Sequence, residues 1–282
     1  MILSGKALLA GVIGWPVEQS RSPRLHGWWL ERYGINGAYV PLAVAPEHFA
    51  EVVRALGKAG FRGVNVTVPH KEAAFALADE VDSFACRTRA VNTLVYKEDG
   101  HLFGLNTDGF GFIENLRNSR PDWSAQTGSA VVLGSGGAAR AIIAILLDNG
   151  APEIFLTNRS RARAEALATD LDGPITVVNW SERTRVLKEV AMVVNTTILG
   201  MIGAPPLELD LSTLPKTALV ADIVYTPRLT PLLVAAQAQG HPIIEGIGML
   251  LHQARPGFTA WFGVEPEVTA EVRSFVLSGQ EE

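Results

Sequence analysis

A chain of 282 residues that is 48% hydrophobic and only 19% charged has material for full cores in one large or two medium domains, which excludes a disordered protein. A net charge of -5 argues against a general nucleic-acid or membrane-surface binder, because both need a basic face; small anionic ligands remain open to local positive groups. Cys86 is the single cysteine, so there is no intrachain disulfide and no CxxC metal site, which fits a reducing cytoplasm.

The apolar run from Ala7 to Val12 is broken by Gly11 and Gly14 well short of the ~20 residues a membrane span needs, and reads as a first strand, Leu8 to Ile13. A helix from Pro23 to Tyr33 follows, with Ser22 as N-cap, Pro23 as first helical residue and Gly34 as its stop. A strand over Tyr39 to Val44, a helix over Pro46 to Leu56 and a strand over Gly63 to Val68 come next. Val91 to Tyr96 and His101 to Leu105 read as a hairpin around Glu98-Asp99-Gly100, and a helix from Phe110 to Asn118 leads to Pro121. Strands near Ala130 to Leu133, Glu153 to Thr157, Ile175 to Val178, Met192 to Asn195 and Ala218 to Ile223 then carry the stricter rhythm of a doubly wound sheet. A helix over Leu229 to Gln239, a strand over Pro242 to Ile244 and helices over Gly246 to Gln253 and Pro266 to Leu277 complete the chain. The fold class is α/β: an open N-terminal α/β domain over residues 1–109, completed by 246–282, and a Rossmann-like domain over 110–245, with the C-terminal helices returning to the first domain.

In Gly63 to Lys71, period-2 geometry puts Val64, Val66 and Val68 on one face and Asn65 and Thr67 on the other. Pro69 ends the ladder and begins a helix. Lys71 falls in its first turn, where the macrodipole disfavours a cation, so its proton is expected to be movable. Asn65, Thr67, Lys71, Asn92 and Asp108 all lie at or near strand ends, the edge where open α/β sheets bind ligands. Ser20 and Ser22 put two hydroxyls at a helix N-terminus suited to a carboxylate. Oxidation of a secondary alcohol by hydride removal needs a group to take the hydroxyl proton; Lys71 is the candidate, with Asp108 orienting it.

The strand Ala130 to Leu133 runs into Gly134-Ser135-Gly136-Gly137-Ala138-Ala139 and an apolar helix, which is GxGxxA in its strand-turn-helix setting. About 20 residues further on, an NAD site has an acid for the ribose 2′-hydroxyl. Here that strand ends instead in Asn158-Arg159-Ser160-Arg161-Ala162-Arg163, which suits a 2′-phosphate and NADP. The six histidines show no metal-ligand spacing, and there is no GxSxG elbow.

Together SRSPRLH (Ser20 to His26), NVTVPHK (Asn65 to Lys71), AVNT (Ala90 to Thr93), NTDG (Asn106 to Gly109), GSGGAAR (Gly134 to Arg140), NRSRAR (Asn158 to Arg163) and GMLLHQA (Gly248 to Ala254) resemble the shikimate dehydrogenase family, in that family's order. The resemblance implies NADP-dependent reduction of 3-dehydroshikimate to shikimate in the route to chorismate and the aromatic amino acids. It implies that Lys71 and Asp108 are the catalytic pair and that Ser20 and Ser22, with Tyr225, bind the substrate carboxylate. Thr67, Asn92, Asp108 and Gln253 would hold ring hydroxyls, and Asn65, facing the substrate with Thr67, would bind it too. Gly134, Ser135, Gly136, Gly137 and Ala138 would form the pyrophosphate loop, and Asn158, Arg159, Ser160 and Arg163 the 2′-phosphate clamp. Thr197, Gly246 and Met249 would lie toward the nicotinamide. Ile198 and Thr226 depart from the family's usual residues. The resemblance leaves open a quinate/shikimate dehydrogenase with relaxed NAD use, or a non-catalytic NADP or metabolite sensor. The expected partner is a small molecule, with no metal, nucleic acid or membrane, for a cytoplasmic monomer or homodimer.

Overall fold

The computed structural model describes residues 2–278 of the protein; residue 1 and residues 279–282, the outer ends of the predicted first domain, lie outside the described residues. The described residues pack as two compact units, one running up to Asp108 and resuming at Leu250, the other Gly109–Met249.

The first unit is built on β1 (Leu8–Gly14), α1 (Ser22–Arg32), β2 (Gly37–Ala43), α2 (Phe49–Lys58), β3 (Phe61–Val66), α3 (Lys71–Leu77), β4 (Glu80–Val81), α4 (Ser83–Thr88), β5 (Thr93–Tyr96) and β6 (Leu102–Leu105). Its six-stranded sheet has the order β2-β1-β3-β5-β6-β4. The first three strands are parallel, and β5 is antiparallel to both β3 and β6. Ile13, Val64, Val66, Val91, Leu94 and Leu102 face a core with Phe49 and Val53 of α2. Expulsion of this apolar surface from water is what drives the layer together.

Three local expectations are corrected. Val66 is the last residue of β3, and Val68 is 60% exposed, outside the alternation. Ser22 is not a cap: α1 starts at Ser22, and its backbone N–H donates to the Ser20 hydroxyl at 3.3 Å. The helix predicted over Pro46 to Leu56 is a 3₁₀ turn, Pro46–His48, followed by α2.

The second unit contains nearly all of α5 (Asp108–Ser119), then β7 (Ser129–Leu133), α6 (Gly137–Asp148), β8 (Ile154–Asn158), α7 (Arg161–Leu171), β9 (Ile175–Asn179), β10 (Val190–Asn195), β11 (Leu219–Asp222), α8 (Pro231–Ala238) and β12 (Ile243–Ile244). The order β12-β11-β10-β7-β8-β9 is fully parallel, the doubly wound arrangement expected from the alternation.

The chain ends in α9 (Gly246–Phe262) and α10 (Ala270–Ser278). α9 runs nine residues past its expected end at Gln253, straight through Pro256. Proline removes one helical hydrogen bond, but Leu250, Leu251, Ala254, Phe258 and Trp261 all bury on this helix and outweigh that loss. α10 returns to α1 in the first unit, where Arg21 Nη1 donates to Val276 O and Arg24 Nε to Phe275 O, each at 2.7 Å. Two cations thus meet the negative end of the helix dipole.

Candidate active site

The chain leaves β1 for β2 on one side and returns to β3 on the other, so the carboxyl ends of β1 and β3 form a topological switch point, where such sheets bind ligands. Ser20 and Ser22 follow β1, and Thr67 and Lys71 follow β3. Antiparallel pairing brings the start of β5 and the end of β6 to the same edge, Asn65 opposite Thr93 and Thr93 opposite Leu105. That register explains how Asn92 and Asp108 reach a lysine so distant in sequence.

Lys71 is the first residue of α3 and Asp108 the first of α5, so an unfavourable cation at one helix start meets a favoured anion at another. Lys71 Nζ forms a short ion-paired hydrogen bond to Asp108 Oδ2, with side chains 15% and 5% exposed. Asp108 Oδ1 accepts from Asn92 Nδ2 at 2.8 Å. The Asn92 amide has one possible orientation, because its Oδ1 accepts the Thr107 backbone N–H at 2.9 Å and that group can only donate. Asn92 Nδ2 also reaches Thr107 Oγ1 at 2.9 Å and Gln253 Oε1 at 3.1 Å, and Thr107 Oγ1 donates to Gln253 O at 2.8 Å. Thr107 is a residue of this network that sequence reasoning misses, and its position beside Asp108 in NTDG is the signal that could find it.

The predicted residues of this edge differ in what they leave for a ligand. The Ser22 and Thr67 hydroxyls have no hydrogen-bond partner among the described residues, and Ser20 Oγ keeps its proton while accepting from Ser22. Asn65 is otherwise committed: its Nδ2 donates to Asn92 O at 3.2 Å and Thr93 Oγ1 at 3.0 Å, while its Oδ1 accepts from Tyr39 at 2.6 Å. Only an oxygen lone pair of Asn65 remains to a substrate.

In the second unit the switch point lies between β7 and β10. Gly134 turns the chain there with φ +112°, and a Cβ would stand 2.6 Å from Thr196 Oγ1. Ser135 is buried. Gly136 caps α6 without a side-chain hydrogen bond, and nothing lies within 4 Å of where its Cβ would be. The backbone N–H groups of Gly137 and Ala138 therefore open a twelve-residue helix toward free space, a fit for a pyrophosphate. Beyond β8, α7 also starts without a side-chain cap, and Asn158 Nδ2 fixes the turn by donating to Ser160 O at 3.0 Å. The three arginines separate here. Arg161 is held by Glu165 at 2.7 Å and Asn179 at 2.8 Å, whereas Arg159 and Arg163 bond to no described residue. Two uncommitted guanidinium groups beside an uncapped helix start fit a 2′-phosphate.

Thr197 donates to Asn195 Oδ1 at 2.7 Å and accepts from Leu199 N at 3.1 Å, so its hydroxyl proton shapes the turn after β10. Ile198 beside it is 53% exposed. Tyr225 follows β11, Gly246 opens α9 against the Ile223 and Val224 backbone, and Met249 is buried; all three belong to the second unit. Arg140 of the glycine-loop segment is paired with Asp170 at 2.9 Å.

Asp222 anchors this edge, accepting from Asn195 Nδ2 at 3.0 Å, Val224 N at 2.9 Å and Thr230 Oγ1 at 2.7 Å. Burial pushes its carboxyl up to about 6. The native state thus binds more protons than the unfolded chain between roughly pH 4 and 6, and Asp222 makes stability fall as pH rises through that window. Asp222→Asn keeps an oxygen for Asn195 and Val224 and sets an amide beside Thr230. Relative to the parent it is expected to gain up to about 3 kcal/mol between roughly pH 4 and 7. Urea unfolding at both pH values checks this; a difference independent of pH contradicts it.

A doubly wound unit with this loop, in a chain whose other unit holds a lysine–carboxylate pair at a sheet edge, is the architecture of a two-domain dinucleotide-dependent dehydrogenase. A family model of the shikimate dehydrogenase substrate binding domain matches residues 12–94, and one of shikimate / quinate 5-dehydrogenase matches 117–201. The protein named shikimate dehydrogenase (NADP(+)) of Paramagnetospirillum magneticum is 60% identical over 98% of this chain and 100% of its own. Among solved structures, shikimate 5-dehydrogenase of Thermus thermophilus with NADP(H) and shikimate is 34% identical with TM-score 0.82, covering 96% of this chain and 97% of that one. Quinate dehydrogenase of Corynebacterium glutamicum with NAD is 32% identical with TM-score 0.88, covering 96% and 99%. The chain belongs to the shikimate dehydrogenase family.

Proposed function

We propose that the chain catalyses the reversible, NADP-dependent reduction of 3-dehydroshikimate to shikimate, and that Lys71 moves the proton. The carrying observation is the Lys71–Asp108 pair, held by the oriented Asn92 amide at the switch-point edge. When bound, NADPH supplies the hydride that a carbonyl carbon must receive to become an alcohol. Lys71 then donates a proton to the carbonyl oxygen and takes it back in the reverse direction, while Asp108 holds the amine in place. Ser20 and Ser22, with Tyr225, bind the substrate carboxylate. Thr67, Asn92, Asp108 and Gln253 receive the ring hydroxyls, and Asn65 meets the substrate through its remaining Oδ1 lone pair.

On the cofactor side, Gly134 to Ala138 bind the pyrophosphate, Asn158, Arg159, Ser160 and Arg163 bind the 2′-phosphate, and Thr197, Gly246 and Met249 line the nicotinamide end. The quinate dehydrogenase with NAD has the same fold, so fold alone does not select the cofactor; the two uncommitted arginines favour NADP. Arg159→Ala removes a charge-assisted contact made only by NADP. It is expected to lower the kcat/KM preference for NADP over NAD by roughly 10- to 100-fold. An unchanged preference in steady-state rates opposes the assignment. The reading as a whole is tested by incubating the protein with shikimate and NADP+: NADPH should form mole for mole with shikimate consumed, and its absence removes the reading.

A further inference from the structure

The Lys71–Asp108 pair and Asn92 end a longer row of buried polar groups, two of which, Tyr39 and Thr93, have no part in the proposed reaction. The Tyr39 hydroxyl, on β2, donates to Asn65 Oδ1 at 2.6 Å. Asn65 Nδ2, on β3, donates to Thr93 Oγ1 at 3.0 Å, and Thr93 Oγ1, on β5, donates to Asn92 Oδ1 at 3.1 Å. Asn92 Nδ2 donates to Asp108 Oδ1 at 2.8 Å. The direction of each bond is fixed chemically. Asn65 Nδ2 also faces the Asn92 carbonyl, which can only accept, so Oδ1 must be the atom that meets Tyr39. Four donors in series therefore point one way, from Tyr39 to the catalytic carboxylate. Every member is buried. In a dry interior such a one-directional row polarises each successive donor, and a gap leaves a buried acceptor unmatched.

The far end of the row is also braced. The Tyr39 ring stacks on His26 with centroids 3.9 Å apart and planes 5° from parallel. Neither His26 ring nitrogen has a hydrogen-bond partner among the described residues, and burial pushes its imidazole down to about 3, so a neutral ring serves as a flat support.

We infer that Tyr39 is a positioning residue for the reaction, acting on Asp108, and so on Lys71, through Asn65, Thr93 and Asn92. The inference rests on the proposed shikimate reaction. Tyr39→Phe keeps the stacked ring and deletes only the first donor. Thr93→Val keeps the shape and breaks the row in its middle. Each is expected to lower kcat for shikimate oxidation roughly threefold to tenfold, with KM for NADP and NADP affinity unchanged. Because both cuts interrupt one row, the Tyr39→Phe/Thr93→Val double variant should lose no more than the worse single variant. A urea unfolding midpoint for each variant reports that the first unit is folded, and calorimetric NADP affinity that the second is; should one variant fail to fold, the kcat of the other carries the test. A Tyr39→Phe protein that turns over like the parent, or losses that multiply in the double variant as independent packing defects would, overturns the inference while leaving the reaction standing. A parent protein that does not oxidise shikimate at all overturns the reaction, and this inference with it.

Discussion

Lys71→Ala is expected to lower kcat by roughly 10²–10⁴, the span of a positioned acid-base group, with the NADP site unaffected. The variant also strands Asp108, a carboxylate only 4% exposed, with Asn92 as its remaining side-chain partner. Loss of one member of such a pair costs on the order of 3 kcal/mol, so the variant should be both slow and less stable. The two effects separate in Lys71→Ala/Asp108→Asn, where the stranded charge is gone. Stability should recover and turnover should not. Chemical denaturation beside single-turnover rates makes the comparison, and recovery of both together would mean that Lys71 matters to folding and not to chemistry.

The second large effect is on stability. A Cβ on Gly63 would stand 2.0 Å from Trp261 Nε1 and 2.1 Å from Leu94 O, the two atoms of a 3.1 Å hydrogen bond. β3 is paired on both sides, with β1 and β5, so its backbone has little room to retreat without disturbing two ladders. Gly63→Ala should therefore destabilise the protein by about 3 kcal/mol or more. Trp261 lies on α9, the helix that carries Gln253 to Asn92, so KM for shikimate should rise as well. A urea midpoint and KM equal to the parent's would contradict this reading of Gly63.

Most strands and helices were legible because apolar spacing switches between period 2 and the helical period along the chain, and the glycine loop because its strand and helix flank it directly; β4 and α4, of two and six residues, are too short to show a period and are missed. Strand order was not legible, because parallel neighbours are distant in sequence. The alternation of Val64, Val66 and Val68 runs one step too far, since pairing with β1 ends at Ile13 opposite Val66. The helix expected to end at Gln253 runs on through Pro256 to Phe262, because tertiary burial along α9 outweighs the proline. Lys71 and Asp108 stood out as charges at strand ends. Tyr39, Thr93 and Thr107 have partners in other segments of the chain, Asn65 for the first two and Asn92 and Gln253 for the third, and no spacing within one segment announces that. Composition made Arg159, Arg161 and Arg163 equivalent, and only Glu165 and Asn179 distinguish Arg161.

The central claim is most directly tested by initial rates with shikimate and with quinate, each against NADP+ and NAD+. Shikimate with NADP+ should give the highest kcat/KM, and exchange of either partner should lower it. Equal efficiency with NADP+ and NAD+, or quinate oxidised as well as shikimate, would contradict the assignment.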